Sequence, residues 1–169
     1  MQAVVLHLYM YMDMPIDPEK RKAALAFLKA HRTGVLATIS PEGAPHTRLV
    51  YYACDDAFII HFLTLKGTRK AVDLASHRQA AFTVAAEQVP QALELEGTVE
   101  DVTETATIDS TLSKLTENWL SNPSYGAPLT RFDAGSIITY YRLTPTWIRW
   151  GDFTSGHKTA DVLTNISAP

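Results

Sequence analysis

The chain predicts a mainly β protein of the α+β class: an antiparallel barrel or sandwich with helices at its periphery. Three observations carry this reading. About six or seven short runs are rich in β-branched and aromatic residues and are separated by tight turn signals. In Gln91–Val102 the apolar Leu93, Leu95 and Val99 alternate with Glu94, Glu96, Thr98 and Glu100, the signature of a strand with one buried and one solvated face. The helical periodicities sit between and beside the strands and do not alternate with them as in a parallel βαβ fold. The chain has 169 residues, 46% hydrophobic and 20% charged. That is enough for one domain over residues 1–169 with a sizeable core, and no repeat or linker divides it.

The elements follow in order. Met1–Met14, MQAVVLHLYMYMDM, is apolar and aromatic. It lacks a basic leading region, is too short to span a bilayer and is interrupted by His7, so it reads as an N-terminal arm packed on a sheet or a partner subunit. Asp17 is placed to cap a helix with Pro18 at its first position. Ala24, Leu25, Phe27, Leu28 and His31 form its apolar stripe, and Gly34 closes it. Val35–Ile39 is a strand, followed by a Ser40-Pro41-Glu42-Gly43 turn. His46–Tyr52 and Phe58–Leu63 read as an antiparallel hairpin turning at Asp55-Asp56. A helix starts at Thr68 and ends near Ser76, and Gln79–Ala86 and Gln91–Val102 are strands. Gly97 in the second of these marks a bulge or a close approach. Thr105–Leu120 is a helix with Ile108, Leu112, Leu115 and Trp119 on one face. Asn122–Pro128 is a loop, Ser136–Leu143 and Thr146–Trp150 are two strands around Pro145, and residues 154–169 are a tail.

Several functions are set aside. A net charge of −3 provides no dominant basic face for nucleic acid. One cysteine, Cys54, cannot form an intramolecular disulfide and fits a reducing cytoplasm. The six histidines show no metal-ligand spacing. Dinucleotide, Walker, nucleophile-elbow and zincin motifs are absent. No residue singles itself out as a catalytic acid or base, so the catalytic set is unknown from sequence.

The informative stretch is His46–Leu74, HTRLVYYACDDAFIIHFLTLKGTRKAVDL. In the predicted hairpin Arg48 lies near the end where Thr64 leaves the second strand. The chain then passes Lys66-Gly67 and opens a helix at Thr68, followed by Arg69 and Lys70. Three cations, two hydroxyls and a helix N-terminus converge, an arrangement suited to a phosphate. A solvated basic turn is the alternative.

Thr64-Leu65-Lys66-Gly67-Thr68-Arg69-Lys70 resembles the flavin-phosphate segment of the pyridoxamine 5′-phosphate oxidase-like, FMN-binding split β-barrel family. Arg48-Leu49-Val50 resembles that family's Arg-x-Val strand. Gly97 matches a barrel glycine, and Arg142-Leu143-Thr144-Pro145 with Trp150-Gly151 resembles its C-terminal hairpin. The resemblance covers roughly residues 33–151. It implies an antiparallel split barrel and a flavoprotein oxidoreductase binding FMN, with deazaflavin (F420) as the alternative cofactor and a non-enzymatic flavin- or haem-binding protein as the alternative role. It also implies a homodimer with flavin at the interface, which the single cysteine places in the cytoplasm. Carried over residue by residue, Arg48, Thr64, Thr68, Arg69 and Lys70 hold the phosphate. The ring also needs an apolar slot, for which Leu49, Val50 and Leu63 offer one wall and Trp150 another, an ordinary core place being the alternative for Trp150. The departures bear on substrate. Family members that oxidise vitamin B6 carry further arginines and a Ser-Gln pair, whereas Ser121–Thr130 reads SNPSYGAPLT and GDFTSGHK after Trp150 shows no Arg-x-His element. A substrate other than vitamin B6 is therefore expected.

Overall fold

Residues 17–120, 137–154 and 162–166 are described by the computed structural model. Asp17 caps helix α1 (Pro18–Ala30) by accepting from the Glu19 and Lys20 N–H groups at 2.9 and 3.3 Å. Ala24, Phe27 and Leu28 bury its inner face. Strand β1 (Thr33–Ile39) turns at Ser40–Gly43 into β2 (Pro45–Tyr51), and the two pair from Thr33↔Tyr51 to Ile39↔Pro45. Gly43 takes φ +85°, and the Ser40 hydroxyl accepts from the Glu42 and Ala44 N–H groups at 3.2 and 3.1 Å. There follow β3 (Ala53–Cys54), β4 (Ile60–Leu65), helix α2 (Arg69–Ser76), β5 (Gln79–Ala86), β6 (Gln91–Val102), helix α3 (Thr105–Leu120), β7 (Ile138–Asp152) and β8 (Leu163–Asn165).

The strands form one antiparallel sheet in the order β2-β1-β5-β6-β7-β4-β3, with β8 on β7. Its two ends, β2 and β3, are separated in sequence by Tyr52 alone, so the sheet must curl until its edges approach: a split barrel. Tyr52 is buried at that seam, and its hydroxyl donates to the Leu28 carbonyl at 2.7 Å. The inward residues Leu36, Phe62, Phe82, Leu93, Leu95, Val99 and Leu143, each fully buried, make the core with the inner face of α1.

The structure corrects four expectations. The His46–Tyr52 and Phe58–Leu63 runs are not a hairpin. The Asp55-Asp56 turn joins β4 to the two-residue β3, while β2 pairs with β1. Asp55 holds that turn by accepting from the Ala57 and Ile59 N–H groups at 2.9 and 3.0 Å, and Phe58 there has φ +64°. Gly34 does not close α1, which ends at Ala30. It lies inside β1, where an added Cβ would stand 2.3 Å from the Phe82 ring. The two strands expected around Pro145 are one long strand, because a β-bulge opposite Glu96/Gly97 absorbs the proline. Gly97 is required there: a Cβ would come within 2.1 Å of the Thr144 carbonyl oxygen. Finally, part of the expected tail is β8. Its neighbour Ile166 is buried and donates its N–H to the Ile148 carbonyl at 2.9 Å, and Lys20 of α1 reaches Thr164 Oγ1 at 3.0 Å. The N-terminal arm, the Asn122–Pro128 loop and the side chain of Trp119 lie outside the described residues.

Candidate functional site

Helix α2 follows β4 by a short turn through Gly67 at φ +74°. Thr68 is its N-cap residue, but its hydroxyl makes no capping bond. It donates to the Leu65 carbonyl at 2.9 Å and sits 3.0 Å from the hydroxyl of the buried Thr64. Thr68 therefore leaves the first-turn N–H groups beside Arg69 and Lys70 in sequence without its side-chain cap.

One turn further along the helix, Asp73 is buried and gathers three partners on one carboxylate oxygen. Thr38 of β1 donates at 2.7 Å, while His46 Nδ1 and Arg48 Nη2 of β2 each stand at 2.9 Å. Burial pushes this carboxyl up, but hydrogen bonds from Arg48, Thr38 and His46 outweigh burial and hold it down at about 2. Arg69 Nη2 donates to His46 Nε2 at 2.7 Å. With Nε2 accepting and Nδ1 donating to Asp73, the imidazole is the neutral Nδ1–H tautomer in this arrangement. Lys70 is half-buried; burial and then the charge of Arg48 lower its pKa. Among the described residues it has no hydrogen-bond or ion-pair partner, and Arg48 Nε is buried without an acceptor. Three cations thus face one carboxylate. An uncompensated positive pocket with an orphaned N–H at a helix N-terminus fits a multiply charged anion.

The structure brings together Arg48, Thr64, Thr68, Arg69 and Lys70. It separates the ring-slot residues. On β2, Val50 faces the core at 5% exposure while Leu49 points out at 65%, so they cannot form one wall. Leu63 has the outward parity of β4, where Phe62 and Thr64 face in. Trp150 is a core aromatic, 2% exposed and 5.1 Å from Phe27 ring to ring. It lies eleven residues along β7 from Thr139, the partner of Thr64, which at roughly 3.3 Å per residue puts it near the far end of that strand.

A groove of about 350 Å³ runs over small residues of β1, β5 and β6, among them Ala37, Ala81 and Gly97. Thr38, the donor to Asp73, also lines it, so groove and cation cluster share a wall. Sequence reading missed His46 and Asp73 as site residues. The signal available was parity and pitch: His46 shares a strand face with Arg48, and Asp73 lies one helical turn after Arg69.

A family model described as pyridoxamine 5′-phosphate oxidase matches residues 21–138. The chain belongs to the pyridoxamine 5′-phosphate oxidase-like family. No curated protein matches it. Solved structures share the fold. A heme binding protein from Mycobacterium smegmatis superposes with a TM-score of 0.67 at 15% identity, over 90% of this chain and 60% of that one. This chain thus spans about three-fifths of that protein's length. A FAD-binding protein from Mesorhizobium loti gives 0.59 at 16%, over 75% and 89%. An F420 reductase gives 0.57 at 24%, over 73% and 93%.

Proposed function

We propose that the chain is an FMN-binding oxidoreductase whose substrate is not a vitamin B6 phosphate. The observation that carries this is the excess charge at the start of α2: Arg48, Arg69 and Lys70 against the buried Asp73 and the exposed Glu42, with Arg48 Nε and Lys70 Nζ unpartnered among the described residues. A phosphate monoester dianion supplies the missing acceptors. Arg48 is pre-aimed by Asp73, Thr64 and Thr68 add hydroxyls, and the uncapped N–H groups of α2 add donors. When bound, the flavin supplies hydride transfer, and the protein's part is binding, orientation and the field around the ring. The relatives named for FAD and F420 support a flavin-type ligand in this fold.

The deazaflavin F420 is the second reading, favoured by the likeness to an F420 reductase. The visible spectrum of the purified protein and the mass of its released chromophore separate the two. Fluorescence titration with FMN and with riboflavin tests the site itself. Strong preference for FMN supports it, and equal binding sinks it.

The protein acts as a homodimer in this reading. Val35 and Leu49 are direct cross-strand partners on the outer face of the sheet, 42% and 65% exposed. This exposed apolar pair on a sheet edge supports that reading.

A further inference from the structure

We infer that His46 couples anion binding at this site to the uptake of a proton. The inference rests on the phosphate reading above and concerns how that site is regulated. In the structure the imidazole is held from both sides. Asp73 accepts from Nδ1 at 2.9 Å, and Arg69 donates to Nε2 at 2.7 Å. The second bond occupies Arg69, one of the three cations needed for the anion. It survives only while Nε2 carries no proton, because a protonated Nε2 would set one donor against another and one cation against another.

The charged groups around the ring are arranged to make this consequential. Arg69 and Asp73 of α2 contact it directly, Arg48 of β2 and Thr38 of β1 share its Asp73 oxygen, and Lys70 follows Arg69 on α2 and is coupled to Arg48. Glu42 lies within electrostatic reach from the β1–β2 turn. In the absence of anion this set holds three cations against Asp73 and the exposed Glu42, a net positive balance. A dianion beside Arg69 changes both conditions. It draws the guanidinium away from Nε2, and it supplies the negative charge that an imidazolium needs. Nε2 then gains a proton and becomes a further donor to the anion, while Asp73 continues to hold Nδ1. No bond other than N–H is made, and the proton comes from solvent.

The experiment is FMN binding by calorimetry near pH 8, in two buffers of different ionisation enthalpy. The FMN phosphate is a dianion there, since its second ionisation lies near pH 6, and it contributes no proton of its own. Wild type should take up a measurable fraction of a proton per FMN bound, riboflavin none, and His46→Gln none with either flavin. Uptake of about half a proton corresponds to roughly a fivefold gain in FMN affinity between pH 8.5 and 7. Long-range ¹H–¹⁵N spectra of the imidazole supply a readout that needs no variant: neutral Nδ1–H without flavin, doubly protonated with FMN. If wild type binds FMN and riboflavin alike, the phosphate reading itself fails. If FMN is preferred but His46 stays neutral in the complex, or His46→Gln takes up the same proton, the coupling is overturned and the phosphate site stands.

Discussion

Arg48 donates to the buried carboxylate of Asp73 at 2.9 Å, and with that bond an edge strand of the barrel is tied to the helix that opens the anion site. The contact fixes the guanidinium while leaving its Nε unpaired, so in the proposed reading Asp73 is a positioning residue for the phosphate. It is also a structural joint, because Thr38 and His46 close on the same oxygen.

Asp73→Ala should therefore lower stability by about 3 kcal/mol, the cost of leaving a hydrogen-bonded cation and two further donors without their acceptor. Urea unfolding of wild type and variant checks this. A change within about 0.5 kcal/mol would show that the three donors find other partners.

The same carboxylate sets a pH dependence with a definite sign. Its folded value of about 2 lies below the unfolded value of about 3.9, so its contribution is fully present above the unfolded value and is lost as pH falls through the folded one. The window runs from about pH 4 to about pH 2, and the contribution is up to about 2.5 kcal/mol at 1.36 kcal/mol per unit. The stability advantage of wild type over Asp73→Asn should shrink across that window and stay flat from pH 5 to 7. An advantage that is constant down to pH 2.5 would contradict the depressed value.

Leu49→Asp should convert a dimer into monomers. Sedimentation of wild type at micromolar concentration should give twice the 18.7 kDa chain mass, and the variant the single chain mass with its circular dichroism unchanged. Leu49 is already 65% exposed in the single chain, so the substitution leaves the core untouched. A wild-type monomer that binds flavin fully would remove the dimer from the proposal.

Pyridoxine and pyridoxamine phosphates should be poor substrates. Ser121–Thr130 contains no arginine to compensate a second phosphate for its desolvation. That loop lies outside the described residues. Aldehyde formation at ordinary turnover rates would show that other residues replace the missing arginines.

The local elements were legible because local chemistry decides them. Asp17-Pro18 marks a helix start, and the alternation of Leu93 and Leu95 with glutamates marks a strand. The bounds of β5, β6 and α3 follow the sequence pattern. Pairing was not legible. Asp55-Asp56 signals a turn, but nothing near it says that β2 takes β1 as its ladder partner, a choice made by burying Leu36 and Val50 across the whole barrel. The cations of the site were visible as a run, Thr68-Arg69-Lys70. Asp73 and His46 were not, because their role comes from a contact between α2 and β2 that spans 27 residues. Sequence leaves Trp150 open between a slot wall and a core aromatic, because the contact that places its ring in the core is with Phe27, on a helix distant in sequence.

The phosphate contacts are tested by separating the two cations of α2 from the fold. Lys70 has no described partner to lose, and Arg69 is exposed at the helix start, so Lys70→Ala and Arg69→Ala should leave stability nearly unchanged. Each charge-assisted contact to a phosphate contributes roughly 1.5–3 kcal/mol, which corresponds to a loss of about ten- to a hundredfold in FMN affinity. Riboflavin, which lacks the phosphate, should bind each variant as it binds wild type. Arg69→Ala carries a further signature: it frees His46 Nε2, so its remaining FMN affinity should depend on pH differently from that of Lys70→Ala. Fluorescence titration of both flavins against wild type and each variant decides the matter. Equal weakening of FMN and riboflavin would mean that these side chains support the fold around the ring and do not hold the phosphate.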